Sequence, residues 1–314
     1  MTIHQVDNPP VAGTESGGPK TAPPLYVPER KFEYNIVPGF FLQDNGDKNV
    51  EFETDIRDKS FGMLDQSPER WANFQRRVEE LQATAPPGVQ YKVFFLGRHG
   101  QGWHNFCSDK YGVEQKWESE MAFVNGDGEF TWGPDPSLTP LGHDQTKAVG
   151  AAWKREAAAG APVDKIRFFT SPLQRTCQTM INSWGDMLGP PETWEDFREI
   201  YGSHTCDKRS PARTIRERFP MVKIEPGFTE EDELWLPDDR ETDAHMQLRA
   251  RRYMDRIFAG EAPETYISIT GHGAIFRNLL VVLGHKPWPL STGEMIPVVV
   301  KATRNSQTNG DLKN

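Results

Sequence analysis

Short apolar runs alternate with longer amphipathic segments through most of the chain. Apolar runs at residues 91–96, 165–170 and 266–270 are each followed by a turn and then by a helical pattern. Runs of this length are typical of buried strands. The alternation predicts an α/β fold with three layers, in which a mostly parallel central sheet has helices on both faces.

Capping residues predict where several helices begin. Ser67, with a Pro and a Glu after it, predicts the N-cap of a helix that ends near Ala83. Thr139 and the following Pro predict the start of a second helix through Trp153, and the amphipathic residues 242–258 predict a third. The acidic run at residues 230–233 is expected to be a solvated loop.

The chain of 314 residues is expected to form one large domain. Residues 1–30 are rich in Pro, Gly, Ser and Thr, a composition that predicts a flexible arm. The domain is predicted over residues 31–304, followed by a flexible tail at 305–314. An insertion at about residues 189–239, between the second and third of these strands, is predicted to act as a cap.

Composition and charge narrow the functional classes. No apolar run approaches the roughly 18 residues of a membrane span, and a net charge of -9 argues against nucleic acid or an anionic membrane as partner. The first residues lack the pattern of a secretory signal, and three cysteines without a CxxC pair suit a reducing compartment. We therefore expect a cytoplasmic protein with buried cysteines, whose oligomeric state the sequence does not indicate.

Polar motifs follow each of the three predicted strands. They are Gly-Arg-His-Gly at 97–100, Ser-Pro-Leu-Gln-Arg at 171–175 and Gly-His-Gly at 271–273. The carboxyl ends of parallel strands meet at one edge of a sheet, so these motifs should form one site. Guanidinium groups of Arg98 and Arg175 match phosphate oxygens, and an imidazole such as His99 can attack phosphorus.

The same residues argue against a metal or cofactor. His99 and His104 have no cysteine or carboxylate cluster that completes a ligand set, and two nearby arginines would repel a cation. Arginines can stabilise the charge of a phosphoryl group in transfer without a metal. We therefore expect a small phosphorylated substrate, no metal and no cofactor.

Four motifs in a fixed order resemble the histidine phosphatase superfamily, the phosphoglycerate mutase-like fold. They are RHGQGWHN at 98–105, LTPLG at 138–142, SPLQRT at 171–176 and GHG at 271–273. The resemblance covers about residues 90–300, and its RHGQGxHN signature is most similar to the phosphomutase-like proteins of fungi and plants, which look like phosphatases.

The resemblance implies roles for particular residues. His99 would be the nucleophile, Arg98 and Arg175 would hold the phosphate, and His272 would contact the phosphoryl group. Glu199, in the segment FREIYG, would be the proton donor, although it also suits a structural ion pair with Arg198 or Arg209. The acid phosphatase branch has an Asp after its second histidine, whereas this chain has Gly273 and Ala274.

Other residues are candidates for substrate binding. Asn105 matches a position that often reaches the phosphate, and Gly273 permits close backbone approach. Gln101 and Gly102 stand where cofactor-dependent mutases usually carry Glu and Ser. The remaining candidates are Trp103, inside the signature, and a possible specificity wall downstream, formed by His204, Asp207 and Arg209.

Together these observations predict a metal-independent histidine phosphatase, a hydrolase that acts on a small metabolite through phospho-His99. Two alternatives stay open: a phosphomutase, and a noncatalytic protein that binds a phosphorylated ligand.

Overall fold

The computed structural model describes residues 30–44, 56–286 and 288–305. Its central sheet has seven strands: β1 Phe32–Ile36, β2 Val89–Arg98, β3 Ile166–Thr170, β4 Glu192–Thr193, β5 Lys223–Ile224, β6 Tyr266–Gly271 and β7 Met295–Arg304. The α-helices are α1 Arg70–Ala83, α2 Trp103–Tyr111, α3 Pro140–Ala158, α4 Gln174–Trp184, α5 Ala212–Arg218, α6 Asp243–Arg256 and α7 Gly273–Val282.

The centre of the sheet is parallel, as predicted. The strand order is β1-β7-β2-β6-β3-β4-β5, and every pair from β2 to β5 is parallel. The three strands predicted from sequence are β2, β3 and β6. In register, Arg98 pairs with Gly271 and Thr170 with Thr270, so the three strands end side by side. Strands β7 and β1 add an antiparallel edge that the sequence pattern did not predict.

Apolar side chains from both faces of the sheet form the two main cores. Along β2, Phe94 and Leu96 enter one core, whereas Val93 and Phe95 enter the other. Successive residues of a strand point to opposite faces, so an unbroken apolar run buries both. This explains the α/β/α layers predicted from the short apolar runs.

One predicted helix cap is confirmed and one is wrong. Thr139 accepts a hydrogen bond from the Gly142 amide at 3.1 Å, and Thr242 caps α6 in the same way. Ser67 lies before α1 rather than at its cap: its carbonyl accepts from the Arg70 amide in a turn, and the helix begins after Glu69. The end of α1 at Ala83 agrees with the prediction.

The acidic run is a solvated loop only in part. Glu230, Glu231 and Glu233 are exposed, but the side chain of Asp232 is 1 % exposed and binds Arg198 at 2.6 Å. A buried guanidinium requires a counter-charge, and this long-range pairing has no signal in the local charge pattern.

A third apolar cluster lies apart from the two main cores. It joins Cys107, Trp117 and Trp132 to Cys206, and the Thr205 hydroxyl donates to the Val124 carbonyl at 2.8 Å. Part of the predicted cap thus packs against residues that follow β2.

The predicted cap boundaries remain a prediction. The predicted arm, apart from its last residue, and the predicted tail, apart from its first, lie outside the described residues. All three cysteines are free and buried, as expected. Within the described ranges, no helix has both the length and the apolar character needed to cross a membrane.

Candidate active site

The adjacent ends of β2, β6 and β3 bring the sequence motifs together. The His99 amide donates to the Gly271 carbonyl at 3.0 Å, and the Ser171 amide donates to the Thr270 carbonyl at 2.9 Å. The rings of His99 and His272 lie with their centroids 5.1 Å apart. Parallel register therefore places the two histidines at one edge of the sheet.

His99 is held as a neutral imidazole. Its Nδ1 lies 2.7 Å from the Gly100 carbonyl oxygen, an acceptor that favours the proton on Nδ1 and leaves the lone pair on Nε2. Burial, with Arg175 and Arg98 nearby, keeps its pKa well below the ordinary value for histidine. Such a histidine has a nucleophilic nitrogen that protonation does not block at neutral pH.

Close backbone packing connects two of the motifs. A Cβ on Gly100 would lie 2.4 Å from the Gly142 carbonyl oxygen, so the loop after β2 rests directly on the first turn of α3. Gln101 reinforces this contact, since its Oε1 accepts from the Thr139 hydroxyl at 2.8 Å. The LTPLG motif thus supports the loop that carries His99.

Arg175 is fully buried with part of its donor capacity unused. Its two terminal nitrogens donate to the Cys206 carbonyl at 2.8 Å and to Asp207 at 3.1 Å. Its Nε is buried without a hydrogen-bond partner among the described residues. Unpaired buried donors are rare because they are costly, and an anionic ligand would satisfy this one.

Arg98 shows the same feature. One of its terminal nitrogens donates to the Leu290 carbonyl at 2.6 Å, while its Nε is buried and has no partner within the described ranges. The guanidinium lies against the backbone of Gly273, where an added Cβ would be 3.4 Å from its Cζ. A side chain at position 273 would therefore contact Arg98 beside the second histidine.

His272 is oriented by a residue that the sequence reasoning missed. Its Nε2 lies 2.8 Å from the Ser171 hydroxyl, and its Nδ1 is buried with no partner in the described part of the chain. Burial, together with Arg175 and His99, lowers its pKa well below the ordinary value. Ser171 opens the SPLQRT motif, which was the available signal.

Glu199, which lies within the predicted cap at residues 189–239, faces the same site. Its Oε2 accepts from the Ala274 amide at 3.3 Å, and its Oε1 is buried and unpartnered in the described structure. Burial, and then the nearby charge of Asp207, raise its pKa. The alternative ion pair with Arg198 or Arg209 is not present within the described residues, since both arginines bind Glu195 instead.

Three substrate-binding candidates have local structural contacts. Asn105 accepts from the Gly102 amide at 2.9 Å, which caps α2. Gln101 binds Thr139 as described above, and Trp103 stacks on Phe130 with centroids 5.4 Å apart. These contacts explain the positions of the three side chains. The contacts of these residues with a substrate stay predictions.

The predicted specificity wall divides into three different environments. Asp207 reaches the site through its ion pair with Arg175, whereas His204 binds Glu118 at 3.2 Å. The guanidinium of Arg209 is occupied by one carboxylate and by loop oxygens. These acceptors are Glu195, Ser210, Thr229, Glu230 and Glu231. These contacts favour a structural role for Arg209.

One group of residues has metal-ligand chemistry. His204, Cys206 and Asp207 have potential ligand atoms within 4.8 Å of one another. Asp207 is already paired with Arg175 and lies 3.7 Å from Arg240, and burial raises the pKa of the Cys206 thiol well above its usual range. The neighbouring guanidinium groups oppose a cation here.

The chain is similar to several known proteins. A protein of Arthroderma benhamiae named "Probable phosphoglycerate mutase" is 35% identical, over 88% of this chain and 87% of that protein. "Phosphomutase-like protein 3" of Candida albicans is 37% identical, over 70% of this chain and 69% of its own. The solved structure of a mycobacterial glucosyl-3-phosphoglycerate phosphatase covers 66% of this chain and 92% of its own, at 16% identity and a TM-score of 0.40.

A family match covers all four sequence motifs. Residues 94–298 match the histidine phosphatase superfamily (branch 1), and this range includes His99, Arg175 and His272. The chain belongs to the histidine phosphatase superfamily.

Proposed function

We propose that the protein is a metal-independent phosphatase that hydrolyses the phosphate ester of a small metabolite through a phosphohistidine at His99. The proposal rests on one observation: a neutral imidazole and two guanidinium groups with unused donors lie in the same site. His99 has its Nδ1 on the Gly100 carbonyl, and the Nε atoms of Arg98 and Arg175 are buried without protein partners among the described residues.

The arginines and His272 would hold the phosphate for in-line attack. Guanidinium donors stabilise negative charge on the nonbridging oxygens, and this electrostatic effect is the main catalytic requirement of phosphoryl transfer. The unpartnered Nδ1 of His272 adds a further polar atom beside His99. The site thus has polar groups on several sides of the position that phosphorus would take.

The reaction would take place in two displacements. In the first, the lone pair of His99 Nε2 forms a bond to phosphorus, the ester P–O bond breaks, and Glu199 gives its proton to the leaving alcohol. In the second, water attacks phosphorus as the carboxylate of Glu199 accepts its proton. The P–N bond then breaks, which releases inorganic phosphate and restores neutral His99.

A mutase of the phosphoglycerate type is the second candidate, because two relatives carry mutase-type names. It would use the same phospho-His99, but a substrate hydroxyl rather than water would accept the phosphoryl group. The two reactions differ in their products, so a product analysis separates them.

The first experiment measures inorganic phosphate released from a panel of phosphomonoesters and diphosphates in the presence of a chelator. Wild type should release phosphate, and His99→Ala should fall to the uncatalysed background because no other group replaces the nucleophile. His143→Ala is the matched control, since His143 binds Asn182 on the α3–α4 contact.

Each other outcome of the panel contradicts the phosphatase proposal in a different way. An isomerised phosphate ester without net phosphate release indicates the mutase. Ligand binding without turnover of any substrate indicates a noncatalytic phospholigand-binding protein. Activity that persists in His99→Ala would reject the phosphohistidine mechanism itself.

A further inference from the structure

His104 lies beside the nucleophile, and the proposed mechanism does not use it. It occupies the first turn of α2, and the centroid of its ring is 5.4 Å from that of His99. This separation is close to the 5.1 Å between His99 and His272. Three imidazoles therefore meet at the end of β2.

The His104 ring rests on the backbone of Gly102. A Cβ at position 102 would lie 2.7 Å from both Cε1 and Nδ1 of the ring. Real Cβ atoms do not approach ring atoms this closely, so Gly102 is what allows the ring to fold back over the loop. Packing against the His104 ring, as well as the position at the N-cap of α2, thus explains why residue 102 is a glycine.

The two ring nitrogens of His104 have different surroundings. Nδ1 is buried and has no hydrogen-bond partner in the described part of the chain. Nε2 lies at the end of the ring away from Cγ. It is not fully buried, and it makes no hydrogen bond to a described residue. A ligand at the site could therefore bind Nε2 without displacing a protein contact.

His104 is also kept uncharged. Burial is the main cause of a pKa well below the ordinary value, and the charges of Arg175 and Arg98 act in the same direction. A neutral imidazole has one N–H donor. With the proton on Nε2, His104 offers that donor to the site without adding positive charge to the two arginines.

We propose that His104 is a third phosphoryl-binding imidazole, whose Nε2–H donates to an oxygen of the substrate phosphate. The proposal rests on the proposed function, because the ligand is the phosphoryl group that His99 would attack. It places His104 beside Asn105, for which the signature suggested a phosphate contact and whose Oδ1 accepts from the Gly102 amide.

Two amide substitutions distinguish the ring nitrogens. The amide nitrogen of Gln reaches about as far as Nε2 of histidine, whereas that of Asn reaches only about as far as Nδ1. His104→Asn should lower kcat/KM about 10²-fold, the usual effect of removing one donor to a developing anion. His104→Gln should recover most of that loss because it restores an N–H near the Nε2 position.

Affinity for orthovanadate, measured by calorimetry, provides a readout that needs no turnover. It should weaken in His104→Asn and recover in His104→Gln, with the melting temperature recorded for each variant. His143→Asn and His143→Gln are the controls, because His143 is a half-buried histidine bound to Asn182 and is not part of the site. Gly102→Ala should resemble His104→Asn, since its methyl group displaces the ring.

Several outcomes would overturn the proposal. Wild-type kcat/KM and vanadate affinity in His104→Asn would show that the imidazole does not bind the phosphoryl group. Equal losses in the Asn and Gln variants would show that the ring has a structural role and that Nε2 donates nothing. If wild type turns over no substrate yet vanadate affinity follows the expected pattern, the phosphatase proposal fails and the His104 contact stands.

Discussion

Buried arginines occur in two regions of this molecule, and their hydrogen bonds differ. At the ends of the central strands, Arg98 and Arg175 each leave a buried Nε without a partner among the described residues. In the region after β4, Arg209 donates to Glu195 and to four neighbouring oxygen-bearing loop residues, and Arg249 binds Glu241 and three backbone carbonyls. All donors of Arg209 and Arg249 thus have protein acceptors, whereas Arg98 and Arg175 have unused ones.

The difference separates structural from ligand-binding arginines. When every donor of a buried guanidinium has a protein acceptor, an anionic ligand adds no new hydrogen bond, because it would first have to displace one of those acceptors. An unsatisfied donor gains a partner when an anion binds. Burial alone is therefore a poor guide to function. Unused buried donors point to the phosphate site for Arg98 and Arg175 because both lie near His99. Arg198 also has an unpartnered Nε in the described structure, but its terminal nitrogens bind the carboxylates of Glu195 and Asp232.

The largest expected effect comes from an open arginine. Arg98→Gln should lower kcat/KM by about 10³-fold, because a guanidinium that stabilises a transferring phosphoryl group is worth at least that much. Its melting temperature should change little, since the protein uses Arg98 for one hydrogen bond, to Leu290. Steady-state kinetics and calorimetry on the same preparation measure both quantities, and a large loss of stability with unchanged kinetics would contradict the comparison.

A saturated arginine should show the opposite pattern. Arg209→Met should lower the free energy of unfolding by about 3 kcal/mol, because Glu195 and several carbonyls lose their buried donor. Denaturant titration measures this change. Activity per folded molecule should stay within about three-fold of wild type, in the range of a weak indirect effect. A selective loss of activity in a stable Arg209→Met protein would instead support the substrate-binding role predicted from sequence.

The smallest of the three effects concerns Glu199, the proposed proton donor, whose raised pKa should appear in the pH dependence of kcat. Glu199 donates only while protonated, so kcat should fall as pH rises through its raised pKa. His99 has a lowered pKa and stays neutral below pH 6.5, which leaves the alkaline limb as the informative one. Glu199→Gln should lower kcat about 10²-fold and remove that limb.

The kinetic comparison uses an ester with a poor leaving group and one with a good leaving group. The loss in Glu199→Gln should be smaller for the good leaving group, because that group needs no proton. An unchanged alkaline limb in Glu199→Gln would mean that another group donates the proton.

Much of the fold was predictable because its signals are local. The apolar runs predicted β2, β3 and β6, and the capping residue Thr139 predicted the start of α3. The amphipathic pattern of residues 242–258 predicted α6. The predicted start of α1 was wrong because Ser67 forms a turn with Arg70 before the helix begins. The antiparallel edge of β7 and β1 had no signal, since pairing between residues far apart in sequence leaves no local period.

The sequence by itself determined which residues gather at the site. His99, Arg175 and His272 each follow a strand of one parallel sheet, and the geometry of such a sheet places strand ends together whatever the rest of the chain does. The order and spacing of the motifs also indicated the superfamily to which the chain belongs.

Only the tertiary structure decided how those residues are used. The pairing of Arg175 with Asp207, the burial of Asp232 against Arg198, the saturation of Arg209 and the seat of His104 on Gly102 all depend on packing. Most of these contacts join side chains from separate elements. Hydrogen-bond capacity is a local property of a residue, but whether it is filled depends on every element that packs around it.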